Sequence, residues 1–302
     1  MKLHWLGGVA WLCVAMGAHA QNLDGTLAKI KASGKIVIGT RDASAPLAYS
    51  IGAGHYIGYH VDVCKRVVEA IKTELKMPGL VTEYTLVTSQ NRLPLLMNGT
   101  IDLECGSTNN NATRQQQVAF APTTYVVNVR MLVPASSTLT SISQLGGKNL
   151  VTTLGTTSVQ HLRKNERSAN LKYNVVYGKD HSDSFLVLES GRADAMVMDD
   201  NVLAGLKASA KDPAAFKIVG ESLSEEPCAI VYRKDDAGFK KVVDGTVKSL
   251  MRSGELAKLY AQWFVAPIPP RNVSVGMPMS AALKNAIANP NDRPAEAYAL
   301  AK

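Results

Sequence analysis

Three arginines in this chain stand just past short β-forming runs. Arg41 follows Lys35–Thr40 directly, Arg92 follows a run from Val81 to Thr88, and Arg114 opens the helical start after Ile101–Cys105. A guanidinium pairs bidentately with a carboxylate, and three arginines at strand ends point to function rather than to three separate surface ion pairs. Taken singly, each is an ordinary surface ion-pair residue of marginal worth. Polar side chains surround them in sequence: Ser89, Ser107, Thr108 and Asn109. Asn109-Asn110-Asn111 also reads as a polar turn. Thr156 and Thr157 follow Gly155 at a helix start, where they suit a helix cap or an anion site equally. Asp199, beside Asp200, suits a cap or a partner for a cation. His181 near a helix start reads as a loop residue. Glu104 and Asp183 are the acids that an enzyme reading would use. The sequence holds no His–nucleophile pair and no cluster with metal-ligand spacing, so neither metal nor cofactor is expected.

The elements that must position these residues alternate between β and α. Val61, Cys64, Val67, Val68, Ile71 and Leu75 share one helical stripe from Tyr59 onward, which places Cys64 on a core face as a small hydrophobe. After an apolar strand from Val126 to Val133, a second series begins. It has strands at Leu150–Leu154, Asn174–Tyr177, Ala193–Met198, Phe216–Val219 and Cys228–Tyr232, with helices between them and two more after Gly238. The expectation is an α/β fold of two lobes with mostly parallel sheets. Ligands of such sheets bind outside the carboxyl ends of the strands, so polar strand-end loops on two lobes make a cleft.

The N-terminus sets the compartment. Lys2, an apolar stretch from Leu6 to Ala18, and Ala18-His19-Ala20 form a secretory leader with cleavage expected after Ala20. The apolar stretch is short for a membrane span, and Cys13 lacks the small residue that a lipobox places before it. Of 302 residues, 46% are hydrophobic and 19% charged, which excludes a disordered or low-complexity chain. The formal charge is +8, yet the basic residues are scattered. That excludes a nucleic-acid patch and leaves a basic surface favouring an acidic small molecule.

In order and spacing, several stretches resemble a known family. They are Thr88 to Leu96, Glu104 to Thr108, Lys179-Asp180-His181 with Asp183-Ser184-Phe185, Leu188 to Ala193, Met198-Asp199-Asp200 and Pro267 to Pro270. The chain resembles the periplasmic amino-acid-binding proteins of ABC importers (solute-binding proteins, family 3), those for glutamate and aspartate in particular. The resemblance implies a periplasmic, monomeric binding protein of type II fold, in which two α/β lobes are joined by two hinge strands. Lobe 1 is then 21–125 plus 228–266, lobe 2 is 130–224, and 267–302 is a surface extension with one short helix. The partners implied are glutamate or aspartate and an inner-membrane ABC permease.

By the same resemblance, Arg114 holds the α-carboxylate and Asp199 receives the ammonium. Arg41 and Arg92, with Ser89 and His181, hold the side-chain carboxylate, while Ser107, Thr108, Asn109, Thr156 and Thr157 supply further hydrogen bonds. Three arginines against one aspartate leave two positive charges in excess, which favours an acidic ligand. The relatives have Thr where this chain has Asn109, an exchange of hydroxyl for amide that bears on glutamate-versus-aspartate preference. Cys105 and Cys228 match the family's disulfide positions, with Cys64 the odd thiol. The competing functions are an exported dehydratase-like enzyme on the same fold and a sensor that presents its ligand to a membrane receptor.

Overall fold

The computed structural model describes residues 23–299; the expected leader lies outside them. Helix α1 (Gly25–Ser33) ends at Gly34 in the left-handed conformation, which turns the chain straight into β1 (Lys35–Thr40). Where the sequence reads as a loop, β2 (Ala43–Ser44), β3 (Ala48–Ser50) and β4 (Tyr56–Ile57) form a small antiparallel sheet. Helix α2 (Tyr59–Leu75) buries the whole expected stripe. Then come β5 (Val81–Leu86), α3 (Arg92–Met97), β6 (Leu103–Glu104), α4 (Ala112–Gln115) and β7 (Val118–Phe120).

Strand β8 (Tyr125–Pro134) carries the chain into a second sheet. There follow β9 (Asn149–Thr153), α5 (Thr157–Ser168), β10 (Asn174–Gly178), α6 (His181–Glu189), β11 (Ala195–Asp199), α7 (Asp200–Ser209) and β12 (Phe216–Val219). Strand β13 (Glu225–Cys228) returns antiparallel to β8, pairing Cys228 with Tyr125 and Glu225 with Asn128. Then β14 (Val231–Arg233) rejoins the first sheet, and α8 (Ala237–Arg252), α9 (Glu255–Tyr260), α10 (Ala281–Ala288) and α11 (Ala295–Ala299) follow. The single strand expected from Cys228 to Tyr232 is thus two, because the chain changes sheets between them.

The first sheet has the order β5-β1-β6-β14-β7, and the second β10-β9-β11-β8-β12 with β13 also on β8. Both are mixed rather than mostly parallel. The βαβ units pair in parallel, but β8 and β14, the strands reached by the crossings, run against their neighbours. Each sheet has its own apolar layers: Ile36, Ile38, Val67, Tyr232 and Phe264 for the first, Leu132, Val151, Met196 and Leu203 for the second. The β8–β13 ribbon carries the backbone between them.

Two expectations are corrected here. Among the described residues, the disulfide joins Cys64 to Cys105, and the free, buried cysteine is Cys228. Cys64 lies on the face of α2 that packs on the first sheet, and Cys105 immediately follows β6 in that sheet. Cys228 instead ends β13, bridged to Asn109 by backbone pairing. Cys64 is therefore buried as expected but is not a thiol. The residues after Pro267 are more than a surface tail. They form two short helices, and Leu283 and Ala286 are buried. The segment before α11 also lies behind the Asn109–Arg114 loop: Asn110 Nδ2 donates to the Asp292 carbonyl at 2.9 Å, Ala295 N–H donates to the Asn110 carbonyl at 3.0 Å, and Ala112 N–H donates to Glu296 at 3.0 Å.

Candidate ligand-binding cleft

The carboxyl ends of β1, β9 and β11 and the loops after β5 and β6 face one another. One pole is cationic. Arg41 is 2% exposed; its Nη1 donates to Ser107 Oγ at 3.5 Å, and its Nη2 lies 3.4 Å from His181 Nε2. Arginine only donates, so Nε2 is the acceptor. His181 is then the Nδ1–H tautomer, donating to Thr153 Oγ1 at 2.9 Å. Burial and the charges of Arg41 and Arg92 hold His181 well below the usual histidine pKa, which keeps it neutral. Burial and the neighbouring Arg92 pull Arg41 down to about 9. Two guanidiniums held together out of water are relieved by an anion between them.

Arg92 begins α3 and is equally buried. Its Nη1 donates to the Ser107 carbonyl at 3.1 Å, while Arg92 Nε and Ser89 Oγ are buried without a hydrogen-bond partner. Such groups are costly, and both are donors suited to a carboxylate. Arg114 sits on α4, whose first turn is capped by Asn111. It spans the cleft: Nη1 donates to the Asn109 carbonyl at 2.8 Å and Nη2 to the Gly155 carbonyl at 3.1 Å. Burial and Arg92 lower its pKa to about 10, so it stays charged at neutral pH.

The other pole is anionic. Asp199 ends β11 and is 2% exposed. Its carboxylate does not cap α7; Asp200 instead receives the Asn201 N–H at 2.8 Å. The choice between cap and cleft, open in the sequence, falls to the cleft. Asn109 Nδ2 donates towards Asp199 Oδ2 at 3.2 Å, Thr157 Oγ1 at 3.0 Å and Glu226 Oε2 at 3.1 Å. Burial and the nearby Glu226 push Asp199 up to about 7.

Some candidates are brought in by backbone rather than side chain. Thr108 spends its hydroxyl on Glu104 Oε2 at 2.7 Å, and Thr156 spends its own on the Thr153 carbonyl at 2.7 Å. Thr156 leaves the first turn of α5 without a side-chain cap, an arrangement suited to an anion. Glu104 is buried beside Gly106, where an added Cβ would stand 2.2 Å from Glu104 Oε1 and 2.7 Å from Arg41 Cγ. It therefore backs Arg41. Asp183 is exposed at the start of α6. Neither acid is placed as a general acid over the cleft.

Sequence reasoning missed Glu226, in β13. It is 2% exposed and takes the Thr157 hydroxyl at 2.7 Å, with His161 Nε2 at 3.3 Å. Burial alone would raise its pKa, but the hydrogen bond and charge of His161, the Thr157 donor and Arg114 outweigh this and hold it below the usual value. The signal in the sequence was Glu225-Glu226 within a short crossing strand, where period-two alternation turns one acid inward. With Glu104 and Glu226 counted, the three arginines face three buried acids, so the excess of two positive charges does not stand. The charge of the cleft is separated between its two poles rather than in excess.

Two sheets bridged by a β-ribbon, with oppositely charged poles facing across their strand ends, define a two-lobed solute-binding protein. The family model for bacterial extracellular solute-binding proteins, family 3, matches residues 36–266, and the chain belongs to that family. It is 46% identical over 278 residues to the L-glutamate/L-aspartate-binding protein of Pseudomonas aeruginosa, covering 92% of each chain. It is 42% identical over 268 residues to the glutamate/aspartate import solute-binding protein of Escherichia coli, covering 89% of each. Among solved structures, the cysteine-binding protein from Campylobacter jejuni superposes with a TM-score of 0.69 at 26% identity, covering 80% of this chain and 93% of that one. These relatives are binding proteins and not enzymes, and the fold is the type II binding-protein fold.

Proposed function

We propose that this chain captures L-glutamate or L-aspartate in the periplasm, as a monomer, and delivers it to an inner-membrane ABC permease. The observation that carries the reading is the pole of Arg41 and Arg92, where Arg92 Nε and Ser89 Oγ are buried without partners opposite a carboxylate pole. Arg114 takes the α-carboxylate, Asp199 the ammonium, and Arg41 and Arg92, with Ser89 and His181, the side-chain carboxylate. The names of the relatives support this ligand class. The lobes are 21–125 with 228–266, and 130–224, and they close over the ligand about the β8–β13 ribbon. Calorimetric titration with the common amino acids tests the reading. Tight binding of glutamate or aspartate supports it, and equal affinity for glutamine overturns it.

A further inference from the structure

The anionic pole gathers the acceptors of two acids and a hydroxyl around one amide nitrogen. Asn109 Nδ2 lies within hydrogen-bond distance of Thr157 Oγ1, both oxygens of Asp199 and Glu226 Oε2, at 3.0 to 3.4 Å. An amide nitrogen has two protons and no charge. Four oxygens, three of them from two carboxylates, converge on it. That is the surrounding of a cationic nitrogen with three protons. A buried carboxylate needs a positive partner, and two close together need one still more.

We propose that Glu226 is the second carboxylate of the amine-binding pole, acting with Asp199 on the ligand's α-ammonium, while Asn109 ties the two acids together from the facing loop. This rests on reading the cleft as an amino-acid site. Glu226 belongs to the β8–β13 ribbon, so the amine is sensed at the element about which the lobes turn. The charged and titratable groups around the pair are Arg41, Arg114, Asp200, His161, Cys228 and Tyr125. His161 is part-exposed, at 23%, and with Thr157, Ser224 and Asn109 it serves one oxygen of Glu226, Oε2. The rise of Asp199 towards about 7, from burial and the charge of Glu226, fits an acid whose neighbour takes His161 and which is itself left short of a cation.

Glu226→Gln keeps the shape and removes the charge, and Glu226→Asp keeps the charge and retracts it. Both are titrated with glutamate beside wild type, in two buffers of different ionisation enthalpy, to count protons exchanged near pH 7. Glu226→Gln is expected to lose roughly 10- to 100-fold in affinity, read well below a melting temperature that itself falls because His161 and Thr157 lose the ionised carboxylate they hold. Glu226→Asp is expected to bind more tightly than the Gln variant. Wild type is expected to release protons on binding as Asp199 ionises, and the Gln variant fewer. The proposal is overturned if Glu226→Gln binds within about threefold of wild type, if Glu226→Asp binds no better than it, or if the proton count is unchanged. A wild type that prefers another amino acid overturns the acidic ligand instead. The series is then run with that amino acid, because the amine pole serves every one.

Discussion

The carbonyl oxygen of Ala45 stands 2.1 Å from where a Cβ on Gly205 would be. Ala45 lies between β2 and β3, and Gly205 is in the middle of α7, so helix and loop meet backbone to backbone across the cleft. Gly155 makes a second such meeting, its Cβ position falling 2.7 Å from the backbone of Ser89 and Gln90.

Gly205→Ala therefore separates folding from closure. Alanine in a helix interior is favoured over glycine by roughly 1 kcal/mol, so the second sheet's lobe is not weakened. The added methyl meets the backbone of Ala45, which belongs to the facing lobe. Ligand affinity is expected to fall about tenfold or more, since each 1.4 kcal/mol of obstruction is one decade. The compaction seen by small-angle scattering on adding glutamate is expected to shrink. A variant that binds and compacts like wild type removes the backbone contact from the closing mechanism.

The two arginines assigned to different carboxylates have different signatures. Arg114→Met is expected to weaken every amino-acid ligand. Arg92→Met is expected to weaken glutamate and aspartate by two to four decades, the scale of about 3–5 kcal/mol for breaking a buried charge pair, with Arg41 sharing the load and favouring the lower end. Glutamine binding should change far less. Titration of both variants with the three ligands decides the assignment, and an Arg92 variant with wild-type glutamate affinity refutes it.

Alkylation of the leader-free protein under denaturing, non-reducing conditions should label Cys228 alone. Closing a loop of 41 residues stabilises by about 4 kcal/mol in the chain-entropy model, so Cys64→Ala should lower the melting temperature markedly and Cys228→Ala, which removes one buried sulfur, should lower it less. A peptide map that links Cys105 to Cys228 would contradict the pairing.

Two buried groups give stability opposite slopes with pH. Asp199, raised to about 7 from an unfolded value near 4, contributes stability that is full below about pH 4 and lost as pH rises through about 7. His60, fully buried between the Gly106 carbonyl and Thr124 Oγ1, is lowered by burial to about 4. Its contribution is present above about 6.5 and lost as pH falls through 4. Between pH 4 and about 6.5 the two slopes oppose each other, so melting temperatures should fall more steeply with rising pH in His60→Gln than in wild type, and should rise with pH in Asp199→Asn. Parallel curves for wild type and variants would refute the assignment.

The fold was legible where one period dominates. The stripe on α2 and the apolar run of β8 read directly, because burial on one face leaves a regular mark. The small β2–β4 sheet did not, since Pro46, Gly52, Gly54 and Gly58 mask strands of two or three residues. The arginines were visible because three cations, each just past a strand end, converge on one edge of an α/β sheet, where ligands bind. Glu226 was not, because one acid in a crossing strand is indistinguishable from a solvated one until Thr157 and Asn109 are brought to it. Cysteine pairing depends on which faces of α2 and β6 meet, a three-dimensional fact that resemblance misassigned.

The Asn109–Arg114 loop is splinted from behind by residues 291–296, nearly two hundred positions later in the chain. Pocket residues alone therefore do not determine how tightly two homologues hold the same solute. Drift in this distal stretch, behind the loop rather than in it, is therefore expected to retune affinity while every arginine is kept. Evolution, or an engineer, has a dial outside the cleft.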